Sequence, residues 1–417
     1  MALVTELDLP VLDYTDPALR GERFHDALTK LRADTWLAAG PLGYVVLERE
    51  AAAHFLRTKR ATFPGMKIAE LFDITEGPLY EEIRRNILHI NGDDHRRLRN
   101  LVNPAFTPRA ADRWRPAMRD FLERLWEPVA ATGSCEFVEE FCKPYPSLTI
   151  ATVMGAPLED APRLHEWSDW IQRQFDAPSL VADRARIERA VTEFYEWAGE
   201  LLALRRGKAP AGMQEASSSS PGDDLISTLI AAEQDGDRLS DVECVNLVLN
   251  VLVGGVDTTQ SQLAQAIRLF ADHPDQWALL GEDPSLAPQA VEEVLRFEPI
   301  TPFTARIVEQ EISYRDVTFP VDTVVMVCAF TANRDLEGDP QAFDITAERD
   351  REKPLTFGAG IHYCLGANLA RAELVEALTF LAPRMPGLRL DGEADLGTIQ
   401  GIYGVNRLPI AWDATSA

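Results

Sequence analysis

Cysteine is scarce, at 5 of 417 residues. The thiols stand at positions 135, 142, 244, 328 and 364 with no C-x-x-C pair among them, which excludes a disulfide scaffold and fits a reducing compartment. Basic charge is also short, 41 Lys and Arg against 66 Asp and Glu for a net charge of −25, so general binding to nucleic acid or to an anionic membrane is not expected. No apolar run reaches the roughly 18 residues that suggest a membrane span. The nearest, at 244 to 256, is interrupted by Asn246 and Asn250 and is expected to be a buried helix. The first residues carry Glu6, Asp8 and Asp13 where a secretory signal would need a basic start and an apolar core. Together these absences predict a folded cytoplasmic protein with neither nucleic acid nor membrane as partner.

What is present is ordinary globular composition, 46% apolar and 26% charged. Helical periodicity marks 17–39, 94–131, 158–173, 181–206, 223–233, 240–272, 285–297 and 366–381. Shorter β-branched runs at 43–47, 323–327 and 402–409 read as a few strands. The expected fold is therefore mainly α with small β-sheets. One Gly-, Ser- and Pro-rich tract, 207–224, predicts an exposed loop.

The helix expected at 240–272 opens with Ser240 and Glu243, a capping-box pattern. It is apolar nearly all round through Val253, then carries Gly254 and Gly255 in mid-helix, where each glycine costs about 1 kcal/mol relative to Ala. Something must approach the backbone there, either a packed neighbour or a ligand. Asp257 and Thr258 follow at once. A mid-helix Thr can donate to the carbonyl four residues earlier, that of Gly254, so the pair is either a proton-delivery device or a satisfied polar kink.

The strongest local pattern is TFGAGIHYCLGANLARAE at 356–373, with Phe357, Gly360, Cys364 and Gly366 in F-x-x-G-x-x-x-C-x-G spacing before an Ala- and Leu-rich helix. Glycines permit a tight turn and close backbone approach, and the amides of a helix N-terminus favour a thiolate. A lone Cys without a second Cys or His at zinc spacing cannot build a zinc site locally, but it can serve as the single axial ligand of a haem iron.

On these residues the chain resembles the cytochrome P-450 family over nearly its whole length, which implies the fold of that family and haem b with Cys364 as axial ligand. The resemblance places Phe357, Gly360 and Gly366 around the sulfur, Gly255 in the oxygen groove, and Asp257 and Thr258 in proton delivery. Glu293 and Arg296 match its E-x-x-R pair, completed by Arg349 in preference to Arg351. NRD at 333–335 matches the approach to that region. His95, Arg99, Arg306 and His362 become partners for the haem propionates, for which Arg is the best-shaped donor. Residues before and after the 207–224 tract would then converge on one cofactor, so a single domain spanning 1–417 is expected.

The resemblance further implies insertion of one atom of O2 into a small, apolar substrate, lodged near Phe72, Leu249, Val253, Ile300, Phe303 and Tyr403. About 50 residues follow Cys364 and no G-x-G-x-x-G lies between a strand and a helix, so electrons are expected from NAD(P)H through a separate ferredoxin and its reductase. Arg96, Arg97, Arg99, Arg109, Arg113, Arg115 and Arg119 offer a local basic stretch for an acidic partner. Peroxide-driven oxidation or a coupling or rearrangement reaction is the alternative chemistry, and a haem-based sensor or carrier the non-enzymatic one.

Overall fold

The computed structural model describes residues 1–207, 224–234, 239–335, 339–349 and 353–413. Most of the expected loop, 208–223, thus lies outside the described residues, as does Arg351. The helices that position the site are α1 (Arg49–Arg57), α2 (Pro78–Arg85), α3 (Gly92–Val102), α4 (Arg115–Trp126), α5 (Pro144–Met154), α6 (Ala161–Gln172), α7 (Arg184–Arg205), α8 (Asp241–Gly255), α9 (Asp257–Asp272), α10 (Ala287–Phe297) and α11 (Ala367–Leu381). A five-stranded sheet adjoins them, built from β1 (Leu37–Gly40), β2 (Gly43–Val46), β3 (Ala61–Thr62), β4 (Phe303–Val308) and β5 (Val324–Cys328) in the order β1-β2-β5-β4-β3. The central β5 pairs parallel with β2 and antiparallel with β4, setting Val325 between Tyr44 and Arg306.

The expected helices at 94–131 and 17–39 are broken. The 94–131 segment becomes α3, a short turn of helix at Asn103–Phe106, another at Pro108–Asp112, and α4, because Pro104, Pro108 and Pro116 cannot donate to the preceding turn. The 17–39 segment ends as helix at Asp34 and finishes in β1. Conversely, the helical α5 shows no amphipathic stripe because it is buried on nearly every side. Its Ser and Thr hydroxyls are satisfied internally: Ser147, Thr149 and Thr152 donate to the carbonyls of Lys143, Tyr145 and Leu148, four residues back.

The capping box at Ser240 and Glu243 forms in both directions. The run Asp241–Asp272 has the length and mean hydropathy, 1.3, to cross a membrane, but 61% of its apolar window is buried inside the protein. It packs as a core helix against α5, α6 and α7. Continuity fails at one point, Val256, where ψ falls to −69° between α8 and α9.

The E-x-x-R pair lies on α10. Arg296 donates through Nε and Nη2 to the two oxygens of Glu293, both at 2.7 Å. Arg349 donates to the same carboxylate at 3.0 and 3.2 Å, and the Asp344 amide adds a bond at 3.0 Å. The surplus positive charge faces the carbonyls of Pro340 and Ala342. Nearby, Asn333 accepts from the Leu355 amide and donates to Thr356, whose hydroxyl reaches the Leu295 carbonyl at 2.6 Å. These bonds tie the start of the cysteine loop to α10.

Candidate active site

A cavity of about 480 Å³ lies between α8, α9, β4 and the cysteine loop. Residues from both sides of the 207–224 tract line it, including Arg99, Gly254, Thr258, Arg306, His362 and Cys364. Among the described residues no group of three His, Cys, Asp or Glu side chains is placed to hold a metal ion by itself.

On one wall, the cysteine loop turns before α11. The Cys364 amide donates to the Phe357 carbonyl at 2.9 Å, closing a turn that includes Gly358 and Gly360 at φ of +69° and +76°. A side chain at Gly360 would meet the Leu56 carbonyl of α1 at 2.6 Å, so that glycine is demanded by backbone approach as well as by its conformation. Gly360 accordingly sits behind the loop, whereas Phe357, Cys364 and Gly366 line the cavity. The guanidinium of Arg371 lies 4.6 Å from the Phe357 ring centre and pairs with Glu292. Burial pushes the Cys364 thiol up, against the Gly366 and Ala367 amides and the charges of Arg99 and Arg371, which pull it down. The helix terminus alone therefore does not secure a thiolate. A metal ion that displaces the proton would, because coordination requires the deprotonated sulfur.

The opposite wall is the α8–α9 junction. Thr258 donates to the Gly254 carbonyl at 2.6 Å, the back-bond its spacing predicts. The two glycines have different roles. A Cβ on Gly255 would fall 2.2 Å from Ile150 of α5, whereas one on Gly254 would meet nothing within 4 Å. Close helix packing thus explains Gly255, although it also borders the cavity, and Gly254 is the one that leaves open space beside Thr258. Asp257 does not line the cavity. It sits half-buried behind Thr258, its carboxyl pushed up to about 7 by burial and by Asp169, against the pull of Arg173.

At one end of the cavity stands a cluster of donors short of acceptors. The rings of His95 and His362 lie 4.6 Å apart. His95 Nε2 and His362 Nδ1 are buried without partners, and His362 Nε2 contacts Asn91 Oδ1 at 3.0 Å. Burial, with His95, Arg306 and Arg99 nearby, pushes His362 down to about 3. Arg306 is 3% exposed, its guanidinium bonds the neighbouring Ala305 carbonyl, and burial lowers it to about 10. Arg99 donates to the Tyr363 carbonyl and, like Arg306 and His362, borders the cavity, while His95 backs His362 from α3. Buried cations without a carboxylate are costly, so this cluster fits an anionic group entering from the cavity. This cluster and the Cys364 sulfur are the two donor sets that a haem would need, for its propionates and for its iron.

Of the expected pocket residues, Phe72, Val253, Ile300 and Phe303 line the cavity, but Leu249 and Tyr403 do not. On α8 the cavity is lined by Leu247, Asn250, Val251, Val253, Gly254 and Gly255, whereas Leu249 packs in the core. Tyr403 is fully buried beside Phe24, at 5.8 Å between ring centres, and its hydroxyl accepts from the Gly21 amide. Its neighbour Ile402 faces the cavity instead. The cavity also contains polar residues that the sequence does not single out individually, Asn86, Gln174, Asn250 and Gln262. Their one sequence signal was the pair Asn246 and Asn250 in an otherwise apolar helix.

The expected basic stretch does not form one free patch. Arg115 and Arg119 share Glu376, Arg97 pairs with Glu243, Arg96 with Asp93, and Arg99 turns to the cavity. Arg113 packs over Trp114 and donates to the Ala110 carbonyl.

Comparison with known proteins bears on the family and the fold. A family model described as Cytochrome P450 matches residues 18–283 and 284–381. The chain is 35% identical over 410 residues to luteothin monooxygenase of Streptomyces thioluteus, covering 98% of this chain and 97% of that one. It is 33% identical over 338 residues to mycinamicin IV hydroxylase/epoxidase of Micromonospora griseorubida, covering 80% and 81%. The crystal structure of CalO2 superposes with a TM-score of 0.87 at 30% identity, covering 98% of this chain and all of that one.

Proposed function

The chain belongs to the cytochrome P450 family, whose members carry haem on a cysteine thiolate, and from its site we propose a monooxygenase that places one atom of O2 on a largely apolar organic substrate. The second atom leaves as water. Its relatives named as monooxygenase and hydroxylase make it an oxidoreductase of this family. Bacterial members use redox partners; here we read a separate ferredoxin and its reductase, fed by NAD(P)H, in a soluble cytoplasmic setting. The observation that carries the reading is the joint position of Cys364 and Thr258 as lining residues of one cavity.

Cys364 would hold the iron, while His95, Arg99, Arg306 and His362 would hold the propionates. When bound, the haem supplies the thiolate-ligated iron at which dioxygen is reduced, and the thiolate's electron donation favours O–O cleavage. The chain's own task is then proton supply. Thr258 presents a hydroxyl beside the open space at Gly254, and its hydrogen lies on the Gly254 carbonyl. Asp257, raised to about 7, exchanges protons near neutrality, where a general acid is most effective. The apolar walls exclude bulk water from the substrate.

Two results test this reading. With supplied ferredoxin and reductase, Thr258→Ala should keep consuming NAD(P)H while product per electron pair falls about tenfold or more; equal coupling in both proteins refutes the proton-delivery role. Because the acid form of Asp257 donates, the wild-type coupled rate should decline as pH rises through about 7, and Asp257→Asn should lose that limb. Independently, Arg306→Ala should release haem on dialysis, since it removes a buried cation at the propionate end. Full haem occupancy after dialysis would reject that assignment.

A further inference from the structure

Three amides line the cavity with their nitrogens engaged and their oxygens idle. Asn250 Nδ2 donates to the main-chain carbonyl of Asn246 at 2.7 Å, Gln174 Nε2 to that of Ile171 at 3.0 Å, and Gln262 Nε2 to that of Glu298 at 3.0 Å. A main-chain carbonyl can only accept, so each amide is held with its nitrogen toward the protein. The Gln174 and Gln262 oxygens are buried without a donor, although the residues are only 4% and 3% exposed. Asn250 bonds the protein only through its nitrogen. Around them stand Phe63, Phe72, Phe175, Ile300 and Phe303, which offer no donor at all. These three amide oxygens are acceptors set among apolar side chains of the cavity lining.

Asn250 differs from the two glutamines in what lies behind it. Its nitrogen also donates to Asn246 Oδ1 at 2.9 Å, and Asn246 Nδ2 in turn donates to Glu82 Oε2 at 2.6 Å and to the Tyr195 hydroxyl at 2.9 Å. Asn86, itself at the cavity, donates to the other Glu82 oxygen at 2.8 Å. Glu82 is fully buried on α2, 164 residues from Asn246 in sequence. With both protons committed along this string, the Asn250 amide is polarised and its free oxygen becomes a better acceptor. Asn250 also precedes Gly254 by one turn, about 6 Å along the helix axis, so a group seated on it fixes which ligand atoms lie beside Thr258.

We propose that the cavity recognises an organic ligand bearing a hydrogen-bond donor, a hydroxyl or N–H, and seats that donor on the side-chain oxygen of Asn250 while its apolar remainder packs against the phenylalanines. This rests on the monooxygenase reading and narrows its substrate class from apolar to amphipathic. Asn250 is thereby the residue that sets orientation, with Asn246 and Glu82 as positioning residues.

The test uses probes that anchor on the iron whatever the natural substrate is. Haem-loaded protein is titrated with alkyl imidazoles of increasing chain length, their ω-hydroxyl counterparts and the corresponding ω-methyl ethers, reading the spectral shift of nitrogen ligation. At one chain length the hydroxyl compound should bind about three- to tenfold tighter than both the alkane and the ether, the ether lacking the donor. Asn250→Leu should erase that preference, bringing the hydroxyl compound level with the alkane and the ether. Asn250→Ala repeats the measurement should the Leu variant fail to take up haem. Normal nitrogen-ligation spectra with no hydroxyl preference at any length, or a preference that survives both substitutions, overturn this inference alone. Absence of any haem spectrum in the wild type overturns the monooxygenase reading and this inference with it.

Discussion

Cys364→Ala protein should lose the thiolate-type absorption of its reduced carbon monoxide complex, and its substrate oxidation should fall by on the order of 10³-fold or more, the scale on which loss of a reacting group acts. The reasoning starts from the sulfur's surroundings. Burial pushes the free thiol up, so the thiolate is favoured only when iron replaces its proton. None of the other cysteines, residues 135, 142, 244 and 328, lines the cavity, so none is placed to substitute. Cys142, Cys244 and Cys328 are buried thiols, and burial raises Cys142 and Cys328. The donors at the far end of the cavity, Arg99, Arg306 and His362, remain in the variant. Haem can therefore still enter, but with altered ligation, and the optical spectrum separates loss of the ligand from loss of the cofactor. A thiolate-type band in the variant would remove the premise of the whole assignment.

The second large effect concerns folding. Glu293→Ala should destabilise the protein by about 3–5 kcal/mol, the cost of stranding a buried charge. Here two guanidinium groups converge on one carboxylate, and Arg296 is only 2% exposed. Removing the acid leaves both with carbonyl partners alone. Haem should be released at a lower denaturant concentration in step with the loss of helix, because the cysteine loop is tied to α10 through Thr356 and Leu295. A denaturation midpoint and haem-release curve that match wild type would show that the network contributes little. Glu293→Gln keeps one acceptor and should fall between the two.

How much of this was legible depended on distance along the chain. The cysteine loop was readable because its turn glycines and its sulfur lie within ten residues, 357–366, although the carbonyl that crowds Gly360 belongs to Leu56 on α1. The back-bond from Thr258 to Gly254 followed from helix spacing alone. The proline breaks between α3 and α4 were written in the chain too, yet strong apolar periodicity masked them. By contrast, Gly254 and Gly255 look equivalent in sequence, and only Ile150 from α5 distinguishes them. Leu249 and Tyr403 were assigned to the cavity by position along the chain, whereas helix phase and the aromatic cluster around Phe24 place them in the core.

Sequence by itself determined the elements whose cause is local: the capping box, the helix periodicity, the tight cysteine turn and the pairing of Glu293 with Arg296 on consecutive turns of one helix. Tertiary structure decided what required convergence. It brought Arg349 onto Glu293, gathered His95, Arg99, Arg306 and His362 into one acceptor-poor cluster, and set Glu82 behind Asn246 and Asn250. The physical reason is that local structure follows from dihedral preference and hydrogen bonds a few residues apart. The charge and polarity of a cavity wall instead depend on side chains that only packing of distant segments can place together.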